Sequence, residues 1–204
     1  MIISQYVSKK LSTSLYEADI IKHSELDIYS YCFDYIIELI LNIIIFLGIG
    51  QFTHKFIISL IFLIVLVPMR SFGGGIHAPT PKICSLISFS LFFIVLYSSN
   101  ILSYMFTFEW CICFILAISI ILILAPIDSP NKPMDNINRA KLKRYCIITC
   151  IAYVCLFLYF YIKHLQLYYG TTAICVIIVS LSILLGFIQN HIKTKNWISP
   201  YMCT

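Results

Sequence analysis

Met69-Arg70-Ser71-Phe72-Gly73-Gly74-Gly75-Ile76-His77-Ala78-Pro79-Thr80-Pro81-Lys82-Ile83-Cys84 separates two long apolar stretches, and its reading decides the fold. No other run in the chain is as dense in Gly, Pro, charge, His and Cys. Pro79 and Pro81 break a helix entering from either side, and Gly73-Gly74-Gly75 loosens the approach. The apolar segments on its two flanks are therefore separate helices, joined by a polar turn.

Outward from that turn, the 204 residues are 60% hydrophobic and only 11% charged, with a mean hydropathy of +0.93. A soluble domain carries about 25% charged residues. The expectation is an all-α, polytopic membrane protein folded as one domain over residues 1–204. Its amphipathic N-terminal segment covers 1–30, and its membrane spans lie within about 31–189. Lys9, Lys10 and Lys22, with several acids and no apolar core run, make a cleavable leader in 1–30 unexpected. The net charge of +5 is small and unevenly placed, so it reads as a topology signal and not as a nucleic-acid footprint. Of nine Cys, Cys111, Cys113, Cys146, Cys150, Cys155 and Cys175 sit in apolar runs, where reduced Cys acts as a small hydrophobe. No zinc-ligand spacing is present, and no metal or cofactor is expected.

Crossing a hydrocarbon layer of about 30 Å takes about 20 mainly apolar residues. Six spans are read at roughly 31–50, 53–69, 84–104, 109–126, 145–163 and 170–189. The first is the weakest, because Asp34, Glu38 and Asn42 recur at four-residue steps and share one helix face. Such a stripe turns toward the bundle interior, either to touch substrate, to orient His77, or simply to bind a neighbouring helix. Before the spans, Ile3, Val7, Leu11 and Leu15 form an apolar stripe on a helix, suited either to the headgroup layer or to packing on the bundle. Ser24-Glu25-Leu26-Asp27 reads as a capping box opening the next helix. With the N-terminus inside, twelve of the fourteen Lys and Arg fall on inner segments, leaving only Lys55 and Lys163 outside. The positive-inside rule then puts both termini, the Arg70–Cys84 turn and the 127–144 loop in the cytosol.

His77 and Cys84 are seven residues apart. On one straight helix they would stand about 10 Å apart, at about 1.5 Å per residue, whereas proton transfer needs about 3 Å. The Gly and Pro residues instead let the chain double back and bring imidazole to thiol. Thr80 as N-cap and Pro81 as first helical residue would open the next helix. Cys84 then lies near its first turn, where the helix dipole, Lys82, Arg70 and a protonated His77 favour thiolate. The residues also admit a plainer reading, with His77 at the headgroup level and Cys84 as apolar filler. Oxyanion donors would come from backbone N–H groups at 82–84 or from Arg70.

A second constellation is Ala125-Pro126-Ile127-Asp128-Ser129-Pro130-Asn131-Lys132-Pro133, expected at the same membrane face. Its prolines fix a turn that projects Asp128, Asn131 and Lys132. Asp128 would orient the His77 ring, or merely cap the turn. The basic run Arg139-Ala140-Lys141-Leu142-Lys143-Arg144 anchors lipid headgroups and would also attract an acidic peptide through Arg139, Lys141, Lys143 and Arg144.

Arg70-x-x-Gly73-Gly74-Gly75-x-His77-Ala78, then Cys84, then Ala125-Pro126-x-Asp128-x-Pro130-Asn131-Lys132-Pro133, resembles the accessory gene regulator protein B (AgrB) family of bacterial membrane endopeptidases. Size and order of spans fit over nearly the whole chain; Ile76 stands where many relatives carry an aromatic. The resemblance implies an AgrD-like propeptide substrate with an amphipathic leader, a signal region and an acidic tail. Its family function is removal of that tail and cyclisation of the remainder into a quorum-sensing peptide at the cytosolic face of the cell membrane. The catalytic residues implied are His77 and Cys84, with support from Arg70 and Gly75; homodimerisation is implied at family level only. The rival classes are a small-peptide transporter, favoured by intramembrane Asp34 and Glu38, and a non-catalytic assembly subunit.

Overall fold

The computed structural model describes residues 2–75, 81–102, 107–127 and 136–198. These form α1 (Ile2–Glu17), a 3-10 turn (His23–Glu25), α2 (Leu26–Phe52), α3 (Phe56–Phe72), α4 (Pro81–Leu102), α5 (Thr107–Leu124), α6 (Asn136–Ile162) and α7 (Gln166–Ile198), with no strand among the described residues. Each apolar run of the sequence has become one helix. His23–Phe52, Ile137–Ile162 and Gln166–His191 are long and apolar enough to cross a membrane, while Phe56–Phe72, Ser85–Ser98 and Phe108–Leu124 are shorter apolar helices.

Helices α3 and α7 hold the centre. Ile58, Phe62, Val65 and Met69 recur at helical spacing on α3 and are buried, as are Ala173, Val176 and Ile183 on α7. Around them the rings of Phe46, Phe62 and Phe92 tie α2, α3 and α4 together, with centroids 4.7 to 5.5 Å apart. On the other flank Phe114 stacks on Phe157 at 4.3 Å, joining α5 to α6, and Phe157 meets Tyr169 of α7. Meanwhile Ile36, Ile40, Ile44 and Ile123 point outward. Large aliphatics on the outer faces suit a lipid surround, where they carry no solvation penalty. The α2–α3 and α6–α7 hairpins close through three-residue turns with His54 (φ 57°) and His164 (φ 53°) left-handed. In each, the N–H of the turn's last residue reaches back to the helix end, Lys55 to Gly50 O and Leu165 to Phe160 O.

Two expectations need correction. Helix α1 packs against α2, but with the face next to its apolar stripe, about 100° round the helix: Ser4, Ser8 and Ser12 are buried, while Val7 and Leu11 are exposed. Small residues permit close helix approach, and the hydroxyls of Ser8 and Ser12 are satisfied by carbonyls of their own helix, Gln5 O and Lys9 O. Of its two expected settings, packing on the bundle is the one observed. The capping contact also runs two residues earlier than Ser24 implied: Lys22 N–H donates to Glu25 Oε2 at 3.1 Å, and α2 starts after the 3-10 turn.

Tyr153 of α6 is buried, and its hydroxyl donates to Val65 O of α3 at 2.5 Å, one turn before Pro68. A bond of this kind contributes about 1 kcal/mol net. Tyr153→Phe is therefore expected to lower stability by about 1 kcal/mol in reversible detergent unfolding, without loss of helicity.

Candidate functional site

Helix α3 ends one turn after Pro68, with Arg70 in its last turn, where a cation suits the carbonyl end of the helix. Gly73 N–H donates to Met69 O at 2.7 Å, the last helical bond of α3. Gly74 and Gly75 then take φ of 74° and 131°, a region that side chains resist. Ile127 N–H, from the proline-rich constellation, donates to Gly73 O at 3.1 Å. A Cβ on Gly74 would meet Ile127 O at 3.1 Å, and one on Gly75 would meet Ser182 Oγ of α7 at 3.0 Å. The tightest approach is backbone to backbone: a Cβ on Gly186 would lie 2.6 Å from the carbonyl carbon of Gly75. The glycine turn, residues 125–127 and α7 are thus interlocked.

Beyond Gly75 the described chain resumes at Pro81, which opens α4 as the proline rule requires. Cys84 and Lys82 belong to the first turn of α4. His77, Asp128 and Lys132, and the side chains of Lys82 and Cys84, lie outside the described residues.

On the other side of the turn, α2, α3 and α4 enclose a cleft of about 60 Å³. Its polar rim is Glu38 and Asn42 from α2, Arg70 from α3, and Ser85 and Ser88 from α4. Asn42 Nδ2 donates to Ser85 Oγ at 3.0 Å, so part of the expected polar stripe is a helix–helix bond. Asp34, two turns before Asn42, is buried at 8% exposure, and its Oδ1 has no hydrogen-bond partner. Arg70 and Ser85 bracket the His77–Cys84 stretch in the chain and line the same cleft.

The basic run divides by role. Lys143 Nζ bonds the carbonyls of Leu122 and Ala125 (2.6 Å to the latter), which caps the C-terminal end of α5. Arg139, Lys141 and Arg144 are exposed. Arg139 and Lys143 also border a hollow of about 390 Å³ against Ile123, Leu124 and Pro126. Gly186, Ser182 and the Asn42–Ser85 bond were not singled out from sequence. The available signal was Ser182 and Gly186 one helical turn apart, a small-residue pair of the sort that lets backbones touch.

A protein whose described residues fold as helices without strands, several of membrane-crossing length, around a mainly apolar cleft with a few polar groups is the class defined by these features. The chain belongs to the accessory gene regulator B (AgrB) family, whose model matches residues 3–189. It is 26% identical over 193 residues to an AgrB-like protein of Clostridium perfringens (strain SM101 / Type A), covering 90% of this chain and 86% of that one. No solved structure matches.

Gly186→Ala is expected to cost about 1–3 kcal/mol, the range for overpacking a tight contact. Gly48→Ala and Gly170→Ala, whose added Cβ would meet nothing within 4 Å, are expected to hold or raise stability by up to about 1 kcal/mol. Thermal unfolding of the three variants in one detergent checks the contrast.

Proposed function

We propose that the chain is a membrane-embedded cysteine endopeptidase of accessory gene regulator peptide processing, with six spans and its site at the cytosolic face. Its substrate is a signal propeptide with an acidic C-terminal tail. The observation that carries this reading is that Arg70 and Ser85, on either side of His77 and Cys84 in the chain, line one cleft. The intervening segment therefore starts and ends near the same place, as a doubled-back dyad needs.

His77 accepts the Cys84 proton, and the sulfur attacks the carbonyl at the tail junction. The peptide C–N bond breaks, protonated His77 gives its proton to the leaving amine, and the tail departs. The retained peptide is now a thioester on Cys84. A Cys or Ser side chain of that peptide attacks the thioester, its proton passing through His77 to Cys84, and closes a thiolactone or lactone. Exchange of thioester for thioester is nearly balanced, so loss of the tail draws the reaction forward. Exclusion of water favours the internal nucleophile. Asp128 orients the His77 ring. Arg70 and backbone N–H groups at 82–84 steady the oxyanion, while Gly75 sets the loop. Lys132, with the exposed Arg139, Lys141 and Arg144, draws the acidic tail toward the hollow at the end of α5. The N-terminal helix offers its apolar stripe to the leader.

Cys84→Ala and His77→Ala are each expected to abolish tail removal with membrane insertion intact, followed by mass spectrometry of a co-expressed AgrD-like propeptide. Full cleavage by both variants would refute the dyad. Replacing Arg139, Lys141 and Arg144 by Gln, with Lys143 left to cap α5, is expected to raise KM most at low ionic strength. A KM that is unchanged at every salt concentration removes these three residues from tail recognition.

A further inference from the structure

We infer that the cleft between α2, α3 and α4 is the specificity pocket for one aliphatic side chain of the peptide, that of the residue supplying the scissile carbonyl. This rests on the endopeptidase reading and names what the same site selects. The cleft is placed for it, because Ser85 directly follows Cys84 and Ser88 stands one helical turn beyond it, both lining the wall. Inside, Leu39, Phe46, Leu63 and Val67 make the lining apolar.

Charge argues against the acidic tail as occupant. Arg70 and Glu38 bring opposite signs to the same rim, so neither sign of ligand is favoured, and an unpaired carboxylate would be costly among these apolar walls. The cations that suit the tail lie elsewhere, at the hollow beside Arg139. The cleft therefore takes the retained side of the substrate.

Size narrows the choice. An apolar cavity of about 150 Å³ accepts a benzene ring. The cleft offers about 60 Å³, less than half of that, which suits a branched aliphatic group and not an aromatic one. The Asn42–Ser85 bond, which ties α2 to α4 across the cleft, keeps it from widening.

The test uses the full-length protein in proteoliposomes and N-acetyl-aminoacyl chloromethyl ketones bearing Val, Leu, Phe or Asp side chains. In each, a thiolate displaces chloride and forms a carbon–sulfur bond. Iodoacetamide, which has no side chain to place, serves as the reference. Cys84 is expected to react at least about tenfold faster with the Val or Leu reagent than with Phe or Asp. Leu39→Ala is expected to raise the Phe-to-Leu rate ratio about tenfold, and Val67→Phe to lower the Leu rate about tenfold, each with the iodoacetamide rate unchanged. If iodoacetamide labels Cys84 selectively but the side chains are not discriminated, or neither variant alters the ratio, the pocket assignment is wrong and the endopeptidase reading stands. The same result follows if a lipid chain fills the cleft. If Cys84 reacts with iodoacetamide no faster than the exposed Cys32 and Cys113, both readings fall together.

Discussion

The contact on which the rest depends is that of Gly75 with Gly186, where two backbones meet with no side chain between them. Nothing larger than hydrogen fits at Gly186, and the φ of Gly75 disfavours a side chain there as well. Around this point the bond from Ile127 N–H to Gly73 O fastens the proline-rich segment to the glycine turn. The last described residue before His77 is thereby held against a long central helix. That seat fixes where the chain leaves α3 on its way to α4, which is what the proposed His77–Cys84 pair requires.

The helices serve that seat. Met69 and Val65 are fully buried, so α3 is pinned along its length before it delivers Gly73. Tyr153 adds a bond from α6 to Val65 O, the carbonyl next to Ile64 O, whose helical donor is the one Pro68 removes. Lys143 ends α5 by bonding its last carbonyls, which fixes the point from which residues 125–127 turn toward Gly74. Among apolar neighbours such polar contacts have no water competing for them, and each orients one helix against another. Helix α1 is attached through Ser4, Ser8 and Ser12, because small residues gain contact by close approach.

Much of this was legible from residues alone. The apolar runs marked six helices, Pro81 marked the start of α4, and the step of four from Glu38 to Asn42 marked an inward polar face. The sixteen-residue α1 was legible as a helix but not in its orientation, because the serines beside its apolar stripe are small enough to let it approach α2 more closely than the stripe could. Gly186 was illegible for a different reason. A glycine within an apolar helix has no periodicity of its own, and its meaning lies in a segment more than a hundred residues away. Likewise, Lys143 read as one of four equivalent charges until the end of α5 was placed beside it.

With the glycine turn seated against α7, the proposed chemistry comes down to the proximity of one imidazole and one thiol. The most direct measurement is the alkylation rate of Cys84 at mildly acidic pH, in the native protein and in His77→Gln, in membranes of the same composition. A paired imidazole and thiol would show a fall of at least about tenfold on removing the imidazole, since only a thiol paired with a base reacts well there. Equal rates with and without His77 would contradict it.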